Sequence, residues 1–392
     1  MTLLSSARSN NISTEEDHVP PQNPDDYQHF DFLPKETLPF THIRSLGQGG
    51  QASVDQVEYI SIGRSCVRKR WLVGRSEEDK KVARDELFCE VNILKKLRQE
   101  CHVITVLATY IQGENFGLLH LPIGQCDLNI LLGMLPGERR KLISDYDLER
   151  GIGCLSAALQ HIHQERIRHK DIKPHNIIVH EAKLIFTDFG LSKDCSEQST
   201  SLTNGIPVGT LSYYAPELVK RPTQNRGCAT DVFSMGCVFL EILNVLFGET
   251  LEDYTSFRSL RPYSQKLRKV QNWIREKSSP QNSALRKFWL EACYLMVAEK
   301  SNRRPRMSNV LVRLKQEQDR HSTIISASCC RECLEKYINK SMEGELDTLR
   351  NTDFIWELGV DTEQDHPAAI QPNSNQGPIN GKSTVKSFSN LR

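Results

Sequence analysis

The strongest constraint on this chain is a polar octet, His169-Lys170-Asp171-Ile172-Lys173-Pro174-His175-Asn176. It stands directly before the apolar run Ile177-Ile178-Val179, and after a second run, Leu184-Ile185-Phe186, comes Asp188-Phe189-Gly190. Both runs read as short strands. A solvated aspartate or a turn asparagine is common singly. Two carboxylates, an amide and a lysine in this order around two strands are poorly explained as scattered surface polarity, so the fold must gather them.

Composition limits what such a fold can serve. The 392 residues are 38% hydrophobic and 25% charged, a globular balance with room for polar unfolded tails. Lys plus Arg number 50 against 49 Asp plus Glu, a formal charge of +1, which gives no global field for gathering nucleic acid or an anionic membrane. Twelve scattered cysteines are too few for a disulfide-stapled secreted chain and read as reduced thiols. Met1-Thr2-Leu3-Leu4-Ser5-Ser6 lacks a basic start and a sustained apolar core, so the expected setting is intracellular, cytoplasmic or nuclear. Val232–Phe247, the longest apolar-rich stretch, contains Ser234, Glu241 and Asn244. It falls short of a membrane span and reads as the central helix of a large lobe.

Residues 1–37 are polar and acidic, carry Pro20-Pro21, Pro24 and Asp25-Asp26, and read as disordered. Strand patterns begin at Phe40 and recur at Val54–Ile60 and Cys66–Leu72. Ser76-Glu77-Glu78-Asp79 resembles a capping box ahead of a helix whose stripe is Leu87, Val91 and Leu94. Two more apolar runs, Val103–Ile111 and Phe116–Leu121, close at Pro122. Beyond it Leu148, Ile152, Leu155, Leu159 and Ile162 mark one buried helical face, and helical patterns continue through Leu285–Val297 and Met307–Leu314. In the segment 319–360, Leu334, Tyr337, Ile338 and Met342 lie at helical spacing. Residues 361–392 are rich in Asn, Ser, Gln, Gly and Pro and read as an unstructured tail.

Leu46-Gly47-Gln48-Gly49-Gly50-Gln51-Ala52-Ser53-Val54 lies between two strand candidates. Glycines there let backbone N–H groups approach phosphate oxygens, although an ordinary glycine hairpin has the same look. In Cys66-Val67-Arg68-Lys69-Arg70-Trp71, strand alternation puts Val67, Lys69 and Trp71 on one face and Arg68 and Arg70 on the other, toward solvent. An ammonium turned inward needs an anion. Glu90, on the amphipathic helix, is the candidate.

With the octet and Asp188-Phe189-Gly190, these motifs resemble a eukaryotic protein kinase domain of the serine/threonine type, over about residues 40–315. The resemblance implies an α+β, bilobal fold spanning 38–318: a β-rich N-lobe at about 38–121 with one main helix, a hinge at 122–127, and an α-helical C-lobe at 128–318. It implies MgATP between the lobes and transfer of the γ-phosphoryl group to Ser/Thr hydroxyls of protein substrates. Gly47, Gln48, Gly49, Gly50 and Val54 would cover the nucleotide. Lys69, held by Glu90, would meet its α- and β-phosphates, and Asp127 its ribose. Asp171 would accept the hydroxyl proton, Lys173 would neutralise the γ-phosphate, and Asn176 and Asp188 would hold Mg2+ through hard oxygens. Gly209-Thr210 to Ala215-Pro216-Glu217 resembles the end of an activation segment, with Thr210 bonded to the catalytic pair, Glu217 paired with Arg304, and Asp231 bracing the catalytic loop. Ser192, Ser196, Ser199, Thr200, Ser201 and Thr203 precede it, either as phosphate acceptors that order the loop or as ordinary polar loop residues.

Three positions depart from the commonest pattern. Ala52 replaces the third glycine, Val67-Arg68 precede Lys69 where Ala-Ile is usual, and Lys170 stands where an arginine usually precedes the catalytic aspartate. Lysine cannot grip a phosphate bidentately, which puts dependence on loop phosphorylation in doubt. His120 falls at the gatekeeper position. A nucleotide-binding scaffold without catalysis is the alternative, opposed by the presence of Lys69, Glu90, Asp171, Asn176 and Asp188. A small-molecule phosphotransferase is opposed by the Ala-Pro-Glu segment. Cys329-Cys330-Arg331-Glu332-Cys333 suggests metal, but a structural zinc needs four ligands and no second cysteine pair follows, which favours ordinary cysteines.

Overall fold

The computed structural model describes residues 27–48, 52–60, 63–196, 210–220, 227–321 and 328–338. The N-terminal part is a six-stranded sheet of β1 (Gln28–Phe32), β2 (Phe40–Gln48), β3 (Ala52–Tyr59), β4 (Arg64–Leu72), β5 (Thr105–Gln112) and β6 (Asn115–Leu121), with helix α1 (Glu77–Lys96) between β4 and β5. The strand order is β1-β5-β6-β4-β3-β2.

Two expectations fail here. The stretch 1–37 is not uniformly without structure: β1 pairs in parallel with β5, Phe30 opposite Tyr110. The cause is a short alternation, in which Phe30 and Phe32 are buried while Asp31 between them is exposed. With Phe40, Tyr59 and Tyr110 these rings form a second core on the sheet face away from α1. That core also corrects the orientation of Arg68, which is not in solvent but 8% exposed. Its guanidinium lies 3.2 Å from the Asp55 carboxylate and 5.7 Å from the Phe40 ring. A strand covered on both faces leaves no wet side for its alternate residues.

Ser76 caps α1, its hydroxyl accepting from the Asp79 N–H at 3.0 Å, and Leu87, Val91 and Leu94 are buried as the stripe requires. After α1 the chain docks on the second part of the molecule: the Ile104 N–H donates to the Phe186 carbonyl at 3.1 Å, and the Phe186 N–H to the His102 carbonyl at 2.8 Å.

Beyond the connector come β7 (Cys126–Asp127), α2 (Leu128–Gly133), α3 (Pro136–Leu142), α4 (Asp145–Gln164), β8 (Ile167–Arg168), β9 (Ile177–His180), β10 (Lys183–Phe186) and β11 (Lys193–Asp194). They are followed by α5 (Pro216–Lys220), α6 (Ala229–Leu246), α7 (Leu251–Phe257), α8 (Leu267–Lys277), α9 (Ala284–Met296) and α10 (Met307–Arg320). All five residues of the expected α4 stripe are fully buried. Helix α6 is long and apolar enough to cross a membrane, but most of it is buried inside the helical lobe. β9 and β10 pair antiparallel, Ile177 opposite Phe186, which brings the residues before β9 beside those after β10. The octet and Asp188 are thereby neighbours.

Candidate active site

The cleft between sheet and helices has a volume of about 920 Å3, and Gly47, Lys69, Glu90, Lys173, Asn176 and Asp188 are among its lining residues. Lys69 Nζ stands 3.0 Å from both carboxylate oxygens of Glu90 and 2.7 Å from Asp188 Oδ1. Burial works against the Lys69 ammonium, but these two carboxylates outweigh it and hold its pKa above the ordinary lysine value. Burial likewise pushes the Asp188 carboxyl up, and Lys69 brings it net below the usual range. Both stay charged at neutral pH. Asp188 adopts φ +59°, a left-handed conformation that costs an aspartate on the order of 1 kcal/mol. Next to it Phe189 is buried, its ring 4.8 Å from that of His169. Gly190 packs so closely that an added Cβ would lie 3.3 Å from Lys69 Nζ.

Asp171 is held by four hydrogen bonds from three residues. Lys173 Nζ donates to Oδ2 at 2.7 Å, Asn176 Nδ2 to Oδ2 at 3.0 Å and to the Asp171 carbonyl at 2.9 Å, and the Thr210 N–H to Oδ1 at 3.0 Å. Lys173 also reaches Thr210 Oγ1 at 2.8 Å, the bond expected from the sequence. Because Asn176 commits its amide nitrogen to Asp171, its oxygen is the atom that suits a hard cation. With the Asp188 carboxylate it makes a donor set that fits Mg2+.

The braces also form. Asp231 accepts from the N–H groups of His169 at 2.9 Å and Lys170 at 3.0 Å. A third partner, His163 at 3.2 Å, was not anticipated, and its place in the last turn of α4 is the signal that could have found it. Burial pushes the Asp231 carboxyl up, but His163, His169 and the backbone donor bring it net below its ordinary value. Arg304 grips Glu217 through two bonds of 2.7 Å.

Gly47, Gln48 and Val54 line the cleft, whereas Gly49 and Gly50 lie outside the described residues. So do Ser199, Thr200, Ser201 and Thr203. Asp127 lines the cleft and at the same time caps α2, accepting from the Ile130 N–H at 2.8 Å. His120 is in the cleft wall with its Nδ1 unpartnered among the described residues, and burial followed by the charge of Lys69 pushes its pKa down to about 3.

Residues 40–314 match the protein kinase domain, and the chain belongs to that family. It is similar to the serine/threonine-protein kinase MPS1 of Encephalitozoon cuniculi (strain GB-M1), 23% identical over 301 residues that cover 77% of this chain and 46% of that protein. It also resembles the dual specificity protein kinase TTK of Mus musculus, 26% identical over 51% of this chain and 23% of that protein. A third relative is the cyclin-dependent kinase 2 of Caenorhabditis elegans, 28% identical over 54% and 56% of the two chains. The chain spans less than half the length of the first two of these relatives.

Proposed function

We propose that the protein is a catalytically competent kinase that transfers the γ-phosphoryl group of MgATP to serine and threonine hydroxyls of protein substrates. The observation that carries this reading is Lys69 Nζ bonded at once to Glu90 and Asp188, together with an Asp171 whose carboxylate is fixed by Lys173, Asn176 and Thr210. Lys69 supplies charge to the α- and β-phosphates, and Lys173 to the γ-phosphate. Asp171 accepts the proton of the attacking hydroxyl as the new P–O bond forms and the bond to the β-phosphate oxygen breaks, releasing ADP. Asn176 and Asp188 would hold Mg2+ through their oxygens, and the ion would supply positive charge to offset that of the phosphates. Thr210, bonded to both Asp171 and Lys173, shapes the platform on which a serine or threonine approaches.

The test is phosphate transfer from MgATP to serine, threonine and tyrosine peptide libraries by wild type and Asp171→Ala. Wild type labels the serine and threonine peptides, and the variant loses several orders of magnitude because nothing orients the nucleophile. Equal labelling by both proteins would remove Asp171 from the mechanism. Tyrosine labelling would extend the acceptor class toward the dual specificity carried in the name of the TTK relative.

A further inference from the structure

Far from the catalytic groups, three segments distant in sequence bring six soft ligands together. Cys101 and His102 lie in the loop between α1 and β5, Cys154 lies on α4, and Cys329, Cys330 and Cys333 belong to the segment after α10. Their ligand atoms form two quartets, Cys101-His102-Cys330-Cys333 and Cys154-Cys329-Cys330-Cys333, and within each quartet all atoms lie within 4.8 Å of one another. We propose that this knot is a zinc site that fastens the segment 328–338 to both lobes of the kinase fold.

The distances are those of ligands around a tetrahedral ion. Zn–S bonds of about 2.3 Å put sulfurs on a tetrahedron about 3.8 Å apart, and a Zn–N bond of about 2.0 Å puts nitrogen and sulfur about 3.5 Å apart. Cys154 Sγ and Cys329 Sγ are 3.7 Å apart, and His102 Nε2 and Cys330 Sγ 3.4 Å apart. A disulfide needs about 2.05 Å, and all twelve cysteines are free thiols.

The groups that would orient these ligands are in place too. His102 Nδ1 lies 2.6 Å from the Leu184 carbonyl. A carbonyl can only accept, so Nδ1 carries the proton and Nε2 presents its lone pair to the other ligands. The Cys330 N–H points at Cys154 Sγ at 3.2 Å, the kind of donor that stabilises a thiolate.

Even the backbone is cut for this approach. At Gly153 of α4 a Cβ would fall 1.7 Å from the Ser328 carbonyl oxygen, so only glycine lets the cysteine segment lie this close. Flanking bonds continue the attachment: Tyr337 donates its hydroxyl to Glu100, and Lys336 Nζ donates to the Gln99 carbonyl at 2.7 Å.

The expectation of ordinary cysteines is thereby revised. The second ligand pair precedes Cys329–Cys333 instead of following it, more than 200 residues upstream. Because the quartets share Cys330 and Cys333, the knot holds one ion or two with bridging thiolates. Each ligating thiol releases its proton to solvent on binding.

The test uses the full chain, untagged and purified under reducing conditions, with metal measured by elemental analysis. At least one zinc per chain is expected, and exchange for Co2+ gives thiolate charge-transfer bands with the d–d bands of a tetrahedral site. Cys330→Ser, which removes a ligand common to both quartets, reduces bound zinc at least tenfold, while Cys89→Ser, on the exposed thiol of α1, leaves it unchanged. If Cys330→Ser does not fold, the wild-type metal content and cobalt spectrum still decide. A reduced wild-type chain that is metal-free and gives no tetrahedral cobalt spectrum overturns the proposal. So does intact-mass evidence that these cysteines pair as disulfides in the native protein.

Discussion

Lys69 keeps its charge in the cleft because Glu90 and Asp188 meet it at 3.0 and 2.7 Å; without the lysine both carboxylates would face each other unpaired. Lys69→Met is therefore expected to lower kcat/KM about 10^2- to 10^3-fold by steady-state kinetics, the usual cost of removing one preorganised charge from a reacting phosphate, with the fold retained by circular dichroism. His120 makes a different prediction. Its pKa is about 3 in the folded chain, against about 6.5 unfolded, so below pH 6.5 protons bind the unfolded state alone and stability drops as the medium is acidified, until the folded imidazole titrates near 3. At pH 5 the loss from this one group is about 2 kcal/mol. His120→Met should flatten the fall in unfolding free energy between pH 7 and pH 5 by that amount, read from urea titrations at the two pH values. Parallel pH profiles for the two proteins would show that the imidazole is not desolvated in this way.

At the level of elements, β1 is the end strand of the sheet beside β5, and two rings anchor it to the core on one face. Phe30→Ala and Phe32→Ala are each expected to cost about 3 kcal/mol in denaturant unfolding, because each ring lies in a core shared with Phe40 and Tyr110, while Asp31→Ala, exposed between them, should be silent. Periodicity made α1 and α4 legible, since a 3.6-residue stripe sustained over several turns fits one face of a helix and cannot be laid on a strand, whose period is two. The same method passed over β1, where a single Phe-Asp-Phe alternation follows a proline-rich acidic stretch and is too short to register. Alternation also placed Arg68 correctly opposite Lys69 but could not say that Asp55 and Phe40 close over that side. The octet and Asp188 were readable because the proposed chemistry needs fixed residue types close together in sequence. The pairing of His163 with Asp231, and the meeting of Cys101, His102 and Cys154 with the cysteines after α10, join segments far apart in sequence, which only the folded chain brings together.

For the molecule as a whole, the knot matters because of where its ligands sit. Cys101 and His102 follow α1 by only a few residues, and α1 carries the Glu90 that positions Lys69; Cys154 is on α4 in the helical part. Metal held in the two quartets, which share Cys330 and Cys333, links the end of α1 to α4 and resists withdrawal of α1 from the C-lobe, so metal and nucleotide are coupled through one helix, and each should favour the other's binding. Two perturbations reach that coupling without touching a catalytic side chain. A soft-metal chelator with negligible affinity for Mg2+ removes the ion, and Gly153→Ala drives the Ser328 backbone off α4, since a helix in the core cannot yield the 1.7 Å approach. Both should release zinc, raise KM for ATP about fivefold or more, and speed amide exchange in residues 98–104 and 328–338, while exchange in α6 stays slow. Restoring Zn2+ should rescue the chelated wild type but not Gly153→Ala. If chelation frees the zinc yet leaves both KM and exchange near residue 100 unchanged, the ion fastens the C-terminal segment alone and has no purchase on the nucleotide site.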